Sequence, residues 1–191
     1  MTASWKPGAD VGSHIRAIDH VAIATANMAE PVALFAGVLG ATLLAGGDND
    51  TTGTRLMHLA LGGFKIELMQ PLRDDSLIAA RVAEHGPGFH HLTFVVDDVD
   101  ATARDLQQAG GRTVGTDLSS PRWRETFLAP KLTFGTLLQF VDTTRRWDVP
   151  ATSYDIDDVL AGRVVWRDYI DCLRDSVGTP EADVSEASLR A

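Results

Sequence analysis

Two imidazoles and two oxygen-bearing side chains recur along this chain at matched spacing. His20 is followed 47 residues later by Glu67, and His91 is followed 48 residues later by Gln139. Each lies in a segment that alternates apolar and polar residues, the period of a strand. Residues two apart on a strand share a face. Val21, Ile23, Ile66, Leu68, Leu92, Phe94, Leu138 and Phe140 fall on one parity, suited to packing under helices. His20, Glu67, His91 and Gln139 all fall on the other. Two nitrogens and two oxygens on one polar face suit a divalent Mn, Fe, Co, Ni or Zn ion, with positions left open for substrate or water. A lone strand histidine is usually structural, but two of them matched to two oxygen ligands in register and parity point to a metal site.

Other residues fit around these four. His58 shares strand parity with Leu56 and is a candidate for proton transfer or substrate contact. Arg122, Arg124 and Lys131 flank the last predicted hairpin and could hold an anionic substrate. His90 has the opposite parity to His91, which suggests a structural role under a helix, and His85 falls in a loop.

The elements that must position these residues repeat. Gly88 to Asp100, GFHHLTFVVDDVD, reads as a strand entering a helix through an Asp98 cap, with Val99, Ala103 and Leu106 as the apolar stripe. A weaker copy lies upstream, where Asn27 can cap and Met28, Val32, Phe35 and Leu39 form the stripe. Each copy continues into three further strands; in the first, Gly62-Gly63 marks the hairpin and GGDNDTTG reads as a loop. The predicted fold is α+β, two βαβββ modules forming a cup-shaped sheet around the metal site, plus a C-terminal helical extension. Residues 1–14 read as a flexible arm and 15–145 as one domain, with modules of about 15–72 and 88–145 joined by a short helix. A helical extension is predicted over 146–175, with Ile156, Val159, Leu160, Val164 and Trp166 as its apolar residues, and a disordered tail over 176–191.

Composition narrows the function. The 26 acidic against 17 basic residues give a net charge of −9, which disfavours a nucleic-acid partner. Cys172 is the only cysteine, so neither an intrachain disulfide nor a thiolate cluster can form. The first residues lack a signal-peptide apolar run, and no stretch has the roughly 18 apolar residues of a membrane span. A cytoplasmic protein acting on a small molecule is expected.

From about Ile18 to Asp142 the chain resembles the vicinal oxygen chelate superfamily of glyoxalases, bleomycin-binding proteins and dioxygenases. IDHVAIA, IELMQPLRDDS, GFHHLTFVVDDVDA and APKLTFGTLLQF bring it nearest to the methylmalonyl-CoA epimerase-like branch. The resemblance implies metal ligands at His20, Glu67, His91 and Gln139, and a homodimer. Epimerases typically carry Gln at the first oxygen position and Glu at the second; Glu67 and Gln139 are the reverse. The carboxylate that epimerases use on the third strand would fall near Leu56, where none is present, and Ala129 stands where His is common. The implied activity is a divalent-metal-dependent epimerase, isomerase or glyoxalase-type lyase that moves a proton beside a chelated carbonyl, in an acyl-CoA or 2-oxo compound. Gln139 cannot accept a proton at neutral pH, so Glu67 is the first candidate base and His58 the second. An iron(II) ring-cleaving dioxygenase using His20, His91 and Glu67, or a non-enzymatic binding protein, are the alternatives.

Overall fold

The computed structural model describes residues 5–6, 8, 10–144, 149–151 and 153–175. A short helical turn, α1 (Val11–His14), leads into β1 (Ile15–Ala24), so part of the expected arm is structured. Next comes α2 (Ala29–Val32), which widens into a π-helical turn over Ala33–Val38. The Asn27 side chain accepts the Ala29 N–H at its start, and Gly40 follows its end with φ 75°. The module is completed by β2 (Thr42–Asn49), β3 (Thr54–Leu61) and β4 (Phe64–Pro71). Gly62 and Gly63, both at positive φ, make the tight turn between β3 and β4.

A connecting helix, α3 (Leu77–His85), is capped by Ser76 Oγ, which accepts the Ala79 N–H, and ends at Gly86. The second module runs through β5 (Gly88–Val96), α4 (Val99–Gln108), β6 (Thr113–Asp117), β7 (Trp123–Leu128) and β8 (Leu137–Thr143). Asp98 caps α4 by accepting the Asp100 and Ala101 N–H groups at 2.8 and 3.1 Å. The buried stripe of α4 is Val99, Thr102, Ala103 and Leu106.

The expected helical extension forms only in part. A helix of five residues, α5 (Ile156–Leu160), is followed by a hairpin of β9 (Val164–Arg167) and β10 (Ile170–Leu173). Gly162 in the left-handed region ends the helical course, and the run Val164, Val165, Trp166 suits a strand better than a helix. The apolar residues singled out are buried or half-buried, but on a strand as well as a helix. The tail over 176–191 lies outside the described residues.

Among the described residues, ten strands form one sheet, ordered β10-β9-β2-β3-β4-β1-β5-β8-β7-β6. The modules meet where β1 pairs antiparallel with β5. His20 faces Thr93, Val21 faces Leu92 and Ala22 faces His91, so a pseudo-dyad passes through the Val21–Leu92 pair and exchanges His20 with His91. The outer pairings obey it: Ala22 faces Glu67 on β4, and its mate Thr93 faces Gln139 on β8.

The sheet is strongly curved. Asp168, in the turn between β9 and β10, bonds Ser120 and Arg122 beside β7, although six strands separate β9 from β7. A flat sheet would hold those strands about 34 Å apart. The convex face carries two apolar clusters. One joins Met28 and Val32 to Met57, Leu59, Ile66 and Leu68, and the other joins Val99 and Leu106 to Leu128 and Phe140.

β2 is longer than its composition suggests, because Gly46 and Gly47 belong to the strand. A Cβ on Gly46 would meet Val159 and the Leu56 carbonyl at 3.0 Å, and one on Gly47 would meet the Val164 backbone at 3.2 Å. These glycines serve close docking of the C-terminal extension on the edge of the sheet.

Candidate metal centre

The concave face brings His20, Glu67 and His91 together. Their ligand atoms lie within 4.8 Å of one another, and all three side chains are buried. His20 Nε2 and His91 Nε2 are 3.2 Å apart, and each is 3.5 Å from Glu67 Oε2. Gln139 joins through Thr93, whose hydroxyl donates to Gln139 Oε1 at 2.6 Å and lies 2.9 Å from His20 Nε2. The four residues expected from spacing and parity thus share one buried site.

Two β-bulges refine it. The β1–β5 register skips Asp19 on β1 and His90 on β5, each immediately before a site histidine. Asp19 swings to His20 Nδ1 at 2.6 Å and is itself held by Lys65 Nζ at 2.9 Å. His90 Nδ1 lies 2.7 Å from His91 Nδ1, so His90 does not stay under the helices as simple alternation suggests. A carboxylate on the remote nitrogen of an imidazole is the arrangement that orients histidine ligands to a metal.

The charges follow from these contacts. Burial disfavours a charged His20, but Glu67 and Asp19 outweigh it and raise its pKa to about 9. His91 is pushed down to about 3, by burial first and then by the neighbouring histidines, against the pull of Glu67. The two imidazoles lie equally far from Glu67, and they differ in that Asp19 supports His20 whereas His90 stands beside His91. Burial would raise the Glu67 pKa, yet His20 and His58 hold it well below the usual carboxylate range. Two facing nitrogens and a carboxylate suit a divalent cation.

His58 joins the cluster. Its Nε2 lies 3.1 Å from Glu67 Oε1, and its ring meets those of His20 and Trp166 at centroid distances of 5.4 and 5.9 Å. Burial lowers its pKa against the pull of Glu67 and favours the neutral ring.

The basic candidates stand elsewhere. Arg122 pairs with Asp168, Arg124 pairs with Asp142 at 2.7 Å, and Lys131 is exposed in the turn Pro130–Leu132. Arg124 lines a groove of about 750 Å³ with Arg16, Asp97 and Asp142, and none of the site histidines lines it.

Glu125 is the residue that sequence reasoning missed. Its Oε2 accepts from Gln139 Nε2 at 2.6 Å and from Trp123 Nε1 at 2.8 Å. Burial raises its pKa against those two bonds. Strand parity on β7 could have found it, because Glu125 lies two residues from Phe127, which faces Gln139. The pseudo-dyad gives it a mate. Leu56 faces Met69 as Glu125 faces Val141, which puts the second carboxylate at the position related by symmetry to Leu56.

Comparison with known proteins follows the same lines. Residues 19–127 match the family profile of the Glyoxalase/Bleomycin resistance protein/Dioxygenase superfamily. An ethylmalonyl-CoA/methylmalonyl-CoA epimerase of Cereibacter sphaeroides is 33% identical over 100 residues, 52% of this chain and 75% of the relative. The human mitochondrial methylmalonyl-CoA epimerase is 29% identical over 125 residues, 64% of this chain and 71% of the relative. The crystal structure of methylmalonyl-CoA epimerase from Mycobacterium tuberculosis superposes with a TM-score of 0.63 at 32% identity, covering 70% of this chain and 91% of that one. A Streptomyces coelicolor methylmalonyl-CoA epimerase variant in complex with 2-nitronate-propionyl-CoA gives 0.62 at 29% identity, covering 69% and 99%.

Proposed function

We propose, from the premise that this chain belongs to the Glyoxalase/Bleomycin resistance protein/Dioxygenase superfamily, that it is a divalent-metal-dependent epimerase of an acyl-CoA ester with an acidic α-carbon. The observation that carries this reading is the buried cluster of His20, Glu67 and His91 on the pseudo-dyad, with Gln139 as fourth ligand and Glu125 beside it. A bound divalent ion would polarise the substrate carbonyl and acidify the neighbouring C–H.

The chain's own residues supply orientation and proton transfer. Asp19, anchored by Lys65, fixes the His20 ring so that Nε2 faces the cluster. Epimerisation needs one group to remove a proton and another to return it on the opposite face. Glu67, partnered by His58, is held toward its anionic form on the first-module side, while burial shifts Glu125 toward its protonated form on the second. Carboxylates whose surroundings push their pKa values apart divide the roles of base and acid. Both bonds to Glu125 fall on Oε2, so Oε1 is the atom we assign to proton transfer. Cytoplasmic location and a homodimer complete the proposal; among the described residues no helix is long and apolar enough to cross a membrane.

Metal analysis by mass spectrometry, on protein purified without chelator, tests the centre. Stoichiometric cobalt, nickel, manganese or zinc in the wild type, lost in His91→Ala, is the expected result; metal-free wild type would overturn it. Stoichiometric iron would favour the ring-cleaving dioxygenase reading, because two histidines and one carboxylate also make the ligand triad of non-haem iron oxygenases.

A further inference from the structure

The C-terminal hairpin spans the mouth of the cup and touches both halves of the site. At one end β9 docks on β2, with Asp48 facing Val165. Val164 and Val165 are fully buried there. Arg174 pairs with Asp48 and Asp50, and the Tyr154 hydroxyl ties the Gly46 N–H to Asp171. At the other end the turn reaches the connection between β6 and β7. Asp168 accepts from Ser120 Oγ at 3.0 Å and from Arg122, and Tyr169 stacks on Trp123 at 5.8 Å.

The two aromatic residues lie three positions apart, and each meets a partner of one site carboxylate. Trp166 packs on His58, which contacts Glu67, and Tyr169 stacks on Trp123, which donates to Glu125. With the hairpin seated, His20, His58, Glu67, His91 and Gln139 are all buried. Side chains this buried leave little room for a bulky thioester to reach the ligands.

The ends are unequally secured. The β2 end rests on buried apolar contacts and a nearly buried Asp48, whereas the Arg122 and Asp168 side chains are 46% and 57% exposed. Exposed ion pairs add little stability. The turn is also strained, with Asp168 at φ 44° and Tyr169 at φ 62°. A cleft of about 350 Å³ lined by Arg122, Thr144, Tyr169, Ile170 and Asp171 lies beside it.

We propose that this hairpin gates the reaction chamber, hinged on β2 and latched through Asp168, with Trp166 and Tyr169 as specificity-determining walls that limit the acyl group admitted. This rests on the assignment of the concave face as the active site, but its first test does not depend on metal or turnover. Metal-free wild type, Arg122→Ala and Asp168→Asn would be treated with diethyl pyrocarbonate, and modification of each histidine followed by peptide mass spectrometry. Asparagine tolerates the left-handed turn, so that variant keeps the fold while losing the charge. His58 and His91, whose neutral rings the reagent attacks, should react about fivefold faster in both variants, the scale of one exposed ion pair. Exposed His85 calibrates the reagent, and half-buried His14, bonded to Asp105 at 2.8 Å, should react equally in all three and reports on global folding. Equal protection of the site histidines in all three proteins overturns the gate.

The second test concerns the wall. Trp166→Ala should shift kcat/KM toward ethylmalonyl-CoA over methylmalonyl-CoA by about tenfold, the scale of one methylene in an apolar pocket. An unchanged ratio overturns the role of Trp166. Turnover of neither ester would retire the acyl-CoA reading, and the histidine reactivities would then decide the gate alone.

Discussion

Asp19 and His90 occupy equivalent places one residue before the two site histidines, and they differ in charge. That difference favours the charged form of His20, and a cation bound at Nε2 must displace its proton, so metal binding should release protons. The carboxylates separate in the same way. Glu125→Gln keeps the bond geometry at Oε2 but removes the transferable proton. We expect it to retain metal while epimerisation falls by about 100-fold or more and Glu67 still exchanges the α-proton of one epimer with deuterated water. Glu67→Gln should lose both metal and exchange, since Glu67 also supplies charge to the site. Equal metal loss in both variants would assign Glu125 to the ligand shell instead. His20, Glu67, His91 and Gln139 were legible because alternation holds along β4 and β8 and, on β1 and β5, from each histidine onward past the bulge. Asp19 and His90 were not, because an extra residue in a strand breaks the period on which parity depends. Glu125 was obscured by its neighbours Arg124 and Arg122, which drew attention to charge rather than to face.

Among the elements, α4 starts on two carboxylates, Asp142 accepting the Val99 N–H at 2.8 Å and Asp98 the next two. Asp98 accepts two backbone N–H groups, and these bonds hold its pKa below the usual aspartate value. The folded state therefore favours the ionised form. Its contribution is present above the unfolded pKa of about 3.9 and is lost as pH falls through the lower folded value. Asp98→Ala should cost about 1 kcal/mol in urea unfolding at neutral pH. Asp98→Asn, an equally good cap, should match wild type there and lose less stability under acid. An identical acid profile for Asp98→Asn and wild type would remove Asp98 as the cause. Caps and turn glycines made most of the elements readable: Ser76, Asp98, Gly62-Gly63 and Gly86 stand where the chain turns. The C-terminal extension was misread because an apolar run of mixed spacing fits either period, and its hairpin is fixed by contacts with β2 that local sequence does not carry.

At the scale of the whole molecule, the extension is held by what β2 lacks. Gly46→Ala would press a Cβ against Val159 and the Leu56 carbonyl, and should destabilise the protein by about 1–3 kcal/mol. Urea unfolding followed by tryptophan fluorescence, which includes Trp166 on the hairpin, checks this; an unchanged midpoint would mean that α5 yields without cost. The half-turn through Val21 and Leu92 has a consequence of its own. Each chemically distinct residue has an assigned mate: Glu67 with Gln139, Leu56 with Glu125, Asp19 with His90. Exchanging Glu67 with Gln139 and Leu56 with Glu125 alters neither composition nor net charge, yet it transfers both carboxylates to the other module. The two modules thus offer a controlled permutation, in which the position of a charge can be varied while its amount is conserved.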